Sequence, residues 1–447
     1  MRALEEIFAA RVPRYTSYPT APHFNTSIDA EVYRGWLEAL DPAAPLSLYV
    51  HIPFCDTLCW FCGCHTKVVN TYSPLTAYLD VLLREIAMVA DILGPRRRVA
   101  HIHWGGGSPT MLRPDDMRRL AAALRERFDI DAGAEFAVEI DPRGFTPELS
   151  RTLGEIGVNR ASVGVQDFDP AVQRAINRVQ DAATTAHCVR LLRRDGIARL
   201  SIDLIYGLPH QTVEGLWNTI DRVLTLDPDR LAIFGYAHVP GFKKHQALIP
   251  EAALPDLKER LAQAESAREQ LLAAGYVAIG LDHFAKPDDP MAVAKAQGTL
   301  ARNFQGYTTD TAPALIGFGA SAIGALRQGY VQNHAEVPAW RAALLDGELP
   351  VARGVALTGE DRIRREIIER LMCDLGVDVA AIAHRHGRAP AIFAGALREL
   401  QSLARDGLVI VDGWHVRVPD DRRVGVRLVC AAFDAYLNKA GTHSVAV

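Results

Sequence analysis

No apolar run in the 447 residues is long enough to cross a bilayer as a helix, which takes about 20 such residues. The opening, Met-Arg-Ala-Leu-Glu-Glu, lacks the apolar core of a secretion signal. Neither sign of charge is in large excess: 49 Lys and Arg against 53 Asp and Glu leave a net charge of −4, which points away from a general nucleic-acid surface. No coiled-coil pattern or unpartnered apolar stripe stands out, so a monomer is expected. Cysteine is scarce at seven, and not spread as a disulfide framework, which suits a reducing cytosol and a soluble, cytoplasmic protein. Hydrophobic content of 49% argues against disorder, and the length suits one large α/β barrel with a smaller domain.

Four of the seven cysteines, Cys55, Cys59, Cys62 and Cys64, fall within ten residues. The first three are spaced Cys-x-x-x-Cys-x-x-Cys, directly after an apolar run (46–52) that reads as a buried strand. A structural zinc site usually takes two Cys pairs, or Cys with His, from separate elements, and no second pair follows. Cys188, Cys373 and Cys430 are isolated in helical stretches. An iron–sulfur cluster fits better, since thiolates hold such clusters. Cys64 stands too close to Cys62 to serve the same cube easily, so three ligands leave one iron open. This loop resembles that of the radical S-adenosylmethionine (SAM) enzymes.

Residues 13–22, Pro-Arg-Tyr-Thr-Ser-Tyr-Pro-Thr-Ala-Pro, read as an extended arm, followed by an amphipathic stretch over 29–40. The arm either drapes over the barrel or covers a substrate opening. Strand-like runs follow at 46–52, 99–104, 134–141, 159–165, 199–206 and 230–237, with helical patterns between them, such as 75–89, 115–128, 146–156 and 213–226. Six strand–helix repeats predict a parallel sheet, and an open, partial (β/α)6 barrel over a doubly wound one. Ligands in such folds sit at the carboxyl ends of the strands, where the cysteine loop opens. A helix is expected over 254–274, and the glycines within 316–324 suggest backbone packed close to a ligand. The last segment reads as helices over 362–373, 379–384 and 390–406, with a hairpin at 408–418 turning at Asp412-Gly413. Its candidate recognition helix mixes Arg398 and Arg405 with Glu399 and Asp406, a solvated face more than a DNA-reading one.

His-Trp-Gly-Gly-Gly-Ser-Pro-Thr (103–110) ends the second strand, and its glycines bring bare backbone near a ligand. Other strand ends carry Glu139, Gln166 and Asp203. Each taken singly also reads as an interior polar group paired with a neighbour; a ribose and an adenine edge would satisfy them together. Asn177-Arg178 lies beyond the fourth strand, suited to a carboxylate or to a surface ion pair. Lys243, Lys244 and Arg302 are the candidate cations for an anionic substrate.

Beyond the cysteine loop, the chain resembles the oxygen-independent coproporphyrinogen III oxidases almost end to end. The likeness rests on Pro-Arg-Tyr-Thr-Ser-Tyr-Pro-Thr (13–20), Tyr-Val-His-Ile-Pro-Phe-Cys (49–55), Cys-Gly-Cys (62–64) and His-Trp-Gly-Gly-Gly. It continues through Gly-Val-Gln-Asp-Phe (164–168), Asp-Leu-Ile-Tyr-Gly-Leu-Pro (203–209), Asp-His-Phe-Ala (282–285) and Arg-Asn-Phe-Gln-Gly-Tyr-Thr-Thr (302–309). The resemblance implies a [4Fe–4S] cluster on Cys55, Cys59 and Cys62, with Cys64 a family mark. It implies SAM at the cluster near Tyr49, Gly106, Glu139, Ala237 and Ile323. A second SAM would lie near Phe61, Gly107, Ser108, Gln166, Arg178 and Asp203; Ser108 stands where the family commonly has threonine. It names no catalytic acid or base.

The implied parts are an N-terminal arm (1–44), a radical SAM barrel with its extension (45–340) and a mostly α-helical, winged-helix-like C-terminal domain with a small β-hairpin (341–447). The implied reaction turns two propionates of coproporphyrinogen III into vinyl groups through a 5′-deoxyadenosyl radical, giving protoporphyrinogen IX for haem biosynthesis. Its partners would be that substrate and an unidentified low-potential electron donor, with no nucleic acid and no membrane insertion. A related haem chaperone, which typically lacks the fourth cysteine and the arm, a methylase, and an iron–sulfur-sensing winged-helix regulator are the rival readings.

Overall fold

The computed structural model describes residues 7, 8 and 10–437. Its framework is one twelve-stranded sheet. In chain order the strands are β1 (Leu46–Ile52), β2 (Arg97–Gly106), β3 (Phe128–Ile140), β4 (Arg160–Gln166), β5 (Arg199–Tyr206) and β6 (Arg230–Gly235). Then come β7 (Val277–Ile279), β8 (His283–Ala285), β9 (Ala314–Phe318), β10 (Ile323–Ala325), β11 (Gly329–Asn333) and β12 (Val351–Ala356). The spatial order is 12-11-10-9-1-2-3-4-5-6-8-7. Strands β1 to β6 are parallel neighbours in sequence order, the six (β/α) units expected from the alternating pattern. β1 is buried along almost its whole length, as a parallel strand covered on both faces must be.

The crossover helices start where their sequences supply caps. Thr146 accepts from the Leu149 N–H at the head of Pro147–Glu155, and Thr212 from Gly215 N–H at the head of Val213–Leu224. The helix Ser73–Leu93 lays Leu75, Leu79, Leu82, Ile86 and Val89 onto the sheet. It also buries Glu85, whose carboxylate takes N–H donors from Gly319 (2.7 Å), Asn333 (2.6 Å) and Trp340 (3.1 Å).

Several expectations shift. β9 is a seventh parallel strand, paired with β1 on the side away from β2, where the sequence suggested only a glycine-rich ligand contact. Its glycines meet protein: a Cβ at Gly317 would lie 2.9 Å from the Ile323 carbonyl carbon, and one at Gly319 would lie 2.5 Å from the His51 carbonyl oxygen. Phe128 opens β3 instead of closing the preceding helix, because its ring is fully buried and its backbone pairs with Arg97. β6 stops at Gly235, leaving Ala237 beyond the strand. β12, past residue 341, still belongs to this sheet.

After β12, helices Gly359–Asp374, Val379–Arg385 and Ala394–Arg405 pack with a three-stranded sheet (Gly376–Asp378, Ile410–Asp412, His415–Arg417). The expected hairpin is present; the extra strand Gly376–Asp378 is too short to leave a pattern. Arg398, Glu399 and Arg405 are exposed, a mixed-charge face. The core of this region includes Tyr15 and Tyr18 from the arm. The arm is therefore threaded into the molecule: Tyr15 Oη donates to Asp434 Oδ2 (3.1 Å), and Arg427 Nε donates to the Pro13 carbonyl (2.9 Å).

Candidate active site

The cysteine loop is a closed excursion from the carboxyl end of β1. Phe54–Cys55 pairs with Lys67–Val68, so the chain returns to its starting point and the loop between is clamped at its neck. Its carbonyls are then tied by two segments, Asn177 and the stretch 243–246. Asn177 Nδ2 donates to Leu58 O (2.8 Å), Gln246 Nε2 to Phe61 O (3.0 Å) and Lys243 Nζ to Cys64 O (3.0 Å), while the His245 ring bonds Cys62 O (2.8 Å). The glycine run at the end of β2 holds it from below through Gly107 N–H to Ile52 O (2.8 Å) and Ser108 N–H to Phe54 O (2.7 Å). The glycines are required by these neighbours first. A Cβ at Gly105 would fall 2.6 Å from Glu139, at Gly106 2.5 Å from the His51 ring, and at Gly107 2.5 Å from the Phe54 carbonyl oxygen.

Cys55, Cys59 and Cys62 rim a cavity of about 420 Å³ at the carboxyl ends of the strands. Burial and the sulfurs of Cys62 and Cys59 push the Cys55 thiol up to about 12. The Cys62 thiol is brought down to about 6, chiefly by its bond with Cys64. Cys59 Sγ lies 3.5 Å from guanidinium nitrogens of both Arg143 and Arg178, and Asp141 Oδ2 bridges those two arginines at 2.6 and 3.1 Å. Three thiols converging on one cavity, with two guanidinium groups 3.5 Å from one of them, are a donor set that a cationic iron–sulfur centre completes, because coordination deprotonates thiols outright. Among the described residues, no three His, Cys, Asp or Glu side chains are grouped as ligands of a single metal ion.

Phe61, Gly106, Gly107, Ser108, Glu139, Gln166, Arg178 and Asp203 all line the same cavity. Glu139 accepts from Gly106 N–H (3.0 Å) and bonds His103 Nε2 (3.1 Å); these partners hold its carboxyl below the usual range against the opposing effect of burial. Asp203 is pushed up to about 6 by burial, with Ser162 Oγ donating to it at 2.8 Å. Gln166 sits at φ 70°, a left-handed backbone that a non-glycine residue adopts at a cost and that aims its side chain from the strand end. The floor of the cavity is ionic: Arg160 pairs with Glu135 (2.9 Å) and Arg230 with Asp289 (2.8 Å).

Three expected residues lie elsewhere. Tyr49 does not reach the cavity and bonds His51 Nδ1 (2.9 Å). Ala237 follows β6, and Ile323 packs beside Phe24 and Tyr330 in a separate apolar cluster. Asp141, Arg143 and His103 are the functional candidates that sequence reasoning missed. The signal was there in Glu-Ile-Asp-Pro-Arg (139–143), a charged cluster at a strand end.

A second cavity, about 680 Å³, adjoins the first along Cys64, Phe234, His283 and Gln305. Arg302 lines it, whereas Lys243 is spent on the cysteine loop and Lys244 is exposed outside it. Arm residues Phe8, Arg14 and Thr16 form part of its wall, which favours the covering role over simple draping.

A radical SAM superfamily signature spans residues 49–223, and a HemN C-terminal domain signature spans 357–421. The chain is 52% identical over 428 residues to an oxygen-independent coproporphyrinogen III oxidase of Bradyrhizobium diazoefficiens, covering 96% of this chain and 95% of the relative. A relative of the same description from Paracoccus denitrificans is 44% identical over 99% of this chain and 98% of its own length. The chain belongs to the oxygen-independent coproporphyrinogen III oxidase family. The solved coproporphyrinogen III oxidase of Escherichia coli, described as a radical SAM enzyme, superposes on it with a TM-score of 0.91 at 41% identity, over 95% of this chain and 98% of that one. Membership of a radical SAM family implies a [4Fe–4S] cluster and SAM, and the thiols, arginines and polar strand ends fit both. The partial barrel expected from the sequence is that of the family. No helix among the described residues is long and apolar enough to cross a membrane.

Proposed function

We propose that this chain catalyses the anaerobic oxidative decarboxylation of two propionate side chains of coproporphyrinogen III to vinyl groups, giving protoporphyrinogen IX in haem biosynthesis. Each propionate loses carbon dioxide, a hydrogen atom that SAM-derived chemistry would take up, and one electron that a one-electron acceptor would take up. The observation that carries the reading is the thiol-rimmed cavity opening directly onto a larger, arginine-lined one, in a chain 52% identical to a coproporphyrinogen III oxidase. Acid–base groups contribute at most about 5.5 kcal/mol and do not remove an unactivated hydrogen. When bound, the cluster and SAM supply the one-electron chemistry for that step.

The protein's own residues hold and orient. Cys55, Cys59 and Cys62 hold the cluster, and Arg143 and Arg178 stabilise the Cys59 thiolate. Glu139, kept ionised beside Gly106, would receive the α-ammonium donors of a SAM at the cluster, with Tyr49 beside the His103 ring that bonds it. Phe61, Gly107, Ser108, Gln166, Arg178 and Asp203 take a second SAM, so that two propionates are matched by two equivalents. The arm (1–44) and the C-terminal domain (341–447) wall the substrate off from water around the barrel (45–340). The enzyme works as a cytoplasmic monomer supplied by a low-potential donor.

The test is an anaerobic assay with reductant, SAM and coproporphyrinogen III. Protoporphyrinogen IX with two SAM consumed per molecule is the expected result. Cleavage of SAM without that product overturns the substrate assignment.

A further inference from the structure

The proposed substrate carries four carboxylates, and nothing above assigns the groups that hold them. The 680 Å³ cavity falls within the roughly 300–1,000 Å³ of ligand sites. Tyr206, Phe234 and Phe304 give it flat apolar surface. Its border with the thiol-rimmed cavity puts a ligand there within reach of the reacting end of the site.

Several guanidinium groups on its wall are already engaged. Arg423 bonds Asp420 (2.6 Å) and the Gly280 carbonyl (2.9 Å), and Arg268 pairs with Glu265. Arg427 is spent on the Pro13 carbonyl, and Arg260 donates to the Tyr236 carbonyl (2.8 Å). Arg14 and Arg302 differ. Arg14, on the arm, donates Nη2 to the Gly235 carbonyl (2.7 Å). Arg302 donates Nε to the Tyr15 carbonyl (3.2 Å) and lies 4.4 Å over the Tyr307 ring, with Nη1 buried and unpartnered. Neither makes an ion pair among the described residues. Asp282 faces both, and its carboxylate already accepts from His283 Nδ1 (2.8 Å). A buried, unpartnered guanidinium nitrogen on Arg302, with exposed Arg14 on the same wall and one already engaged carboxylate between them, is a costly arrangement until an anion arrives. A planar fork suits a carboxylate in particular.

We propose that Arg14 and Arg302 together bind one propionate carboxylate of the tetrapyrrole in this cavity, so that the N-terminal arm is part of the substrate site. The inference rests on the function proposed above. Because Arg14 rides on the arm and Arg302 holds the arm at Tyr15, the ligand and the arm are fixed by the same contacts.

The test uses coproporphyrin III, the stable oxidised form with the same four propionates, titrated by fluorescence into the cluster-loaded protein without SAM. Arg302→Ala and Arg14→Ala are each expected to weaken binding roughly ten- to a hundredfold, the range for losing a hydrogen bond to a charged group. Arg302→Lys, which keeps the charge without the fork, is expected to fall between. Lys244→Ala, outside the cavity, leaves binding unchanged. Iron content and near-ultraviolet circular dichroism report whether each variant is folded, and the lysine variant carries the test if the alanine one is not. If the parent protein fails to bind coproporphyrin III, the substrate reading itself falls. If the parent binds and the arginine variants bind equally well, that reading survives and the arginine assignment is wrong.

Discussion

Glu85 offers a prediction whose magnitude follows from the structure. It is 1% exposed, on the helix Ser73–Leu93, and burial pushes its carboxyl up to about 7 despite three N–H donors. An unfolded glutamate titrates near 4.5. The folded state therefore holds a proton that the unfolded chain gives up across this window, and stability from Glu85 is full below the lower value and lost as pH rises through the higher one. Linkage between these values gives a loss of about 2.5 kcal/mol on going from about pH 5 to about pH 8. Glu85→Gln removes the titration but turns an amide donor toward a donor, costing about 1–3 kcal/mol for the unmatched group. The assay is urea unfolding of both proteins across this range. The variant is expected to be less stable at low pH, with the gap closing by about 2.5 kcal/mol at high pH. A gap that stays constant, or widens with pH, would refute the reasoning.

Other perturbations bear on the site directly. Arg143→Met withdraws a guanidinium 3.5 Å from Cys59 Sγ; the reconstituted cluster is expected to keep its iron and to become harder to reduce by tens of millivolts, roughly the scale of one hydrogen bond to sulfur, as read by redox titration. Gly107→Ala drives a methyl group to 2.5 Å from the Phe54 carbonyl oxygen; displacing the backbone of the cysteine loop is expected to cost about 1–3 kcal/mol and to cut iron loading, and full loading at parental stability would contradict this. Asp203→Asn removes the buried carboxyl bonded to Ser162; SAM affinity by equilibrium dialysis is expected to drop about tenfold, as for one charged hydrogen bond.

Much of the fold was legible because its central strands are short apolar runs bounded by turns and separated by helical periods. β1 through β6 announced themselves in this way, and the cysteine spacing marked the end of the first. β9 did not, because Gly317 interrupts its apolar run and its partner β1 lies far back in the chain. The polar strand ends Glu139, Gln166 and Asp203 were readable from position alone, since a carboxyl end in such a sheet faces the ligand. Arg143 was missed because it stands three residues past a strand, where sequence does not say which way a loop turns. Arg14 was hidden for the same reason on a larger scale: a proline-rich arm has no periodicity to say where it will lie. Tyr49, Ala237 and Ile323 came from family resemblance and have no geometric signal of their own in this cavity. Among Lys243, Lys244 and Arg302, only the folded chain tells the lining cation from the others.

Tyr15 and Asp434, joined by a hydrogen bond, are 419 positions apart. A ribosome therefore releases the three sulfurs well before the final segment that locks the leading strand of protein in place. At about 5–20 residues per second, the sulfurs stand open for roughly 20–70 s. For that interval the cysteine loop exists without the arm contacts that the completed chain adds around it.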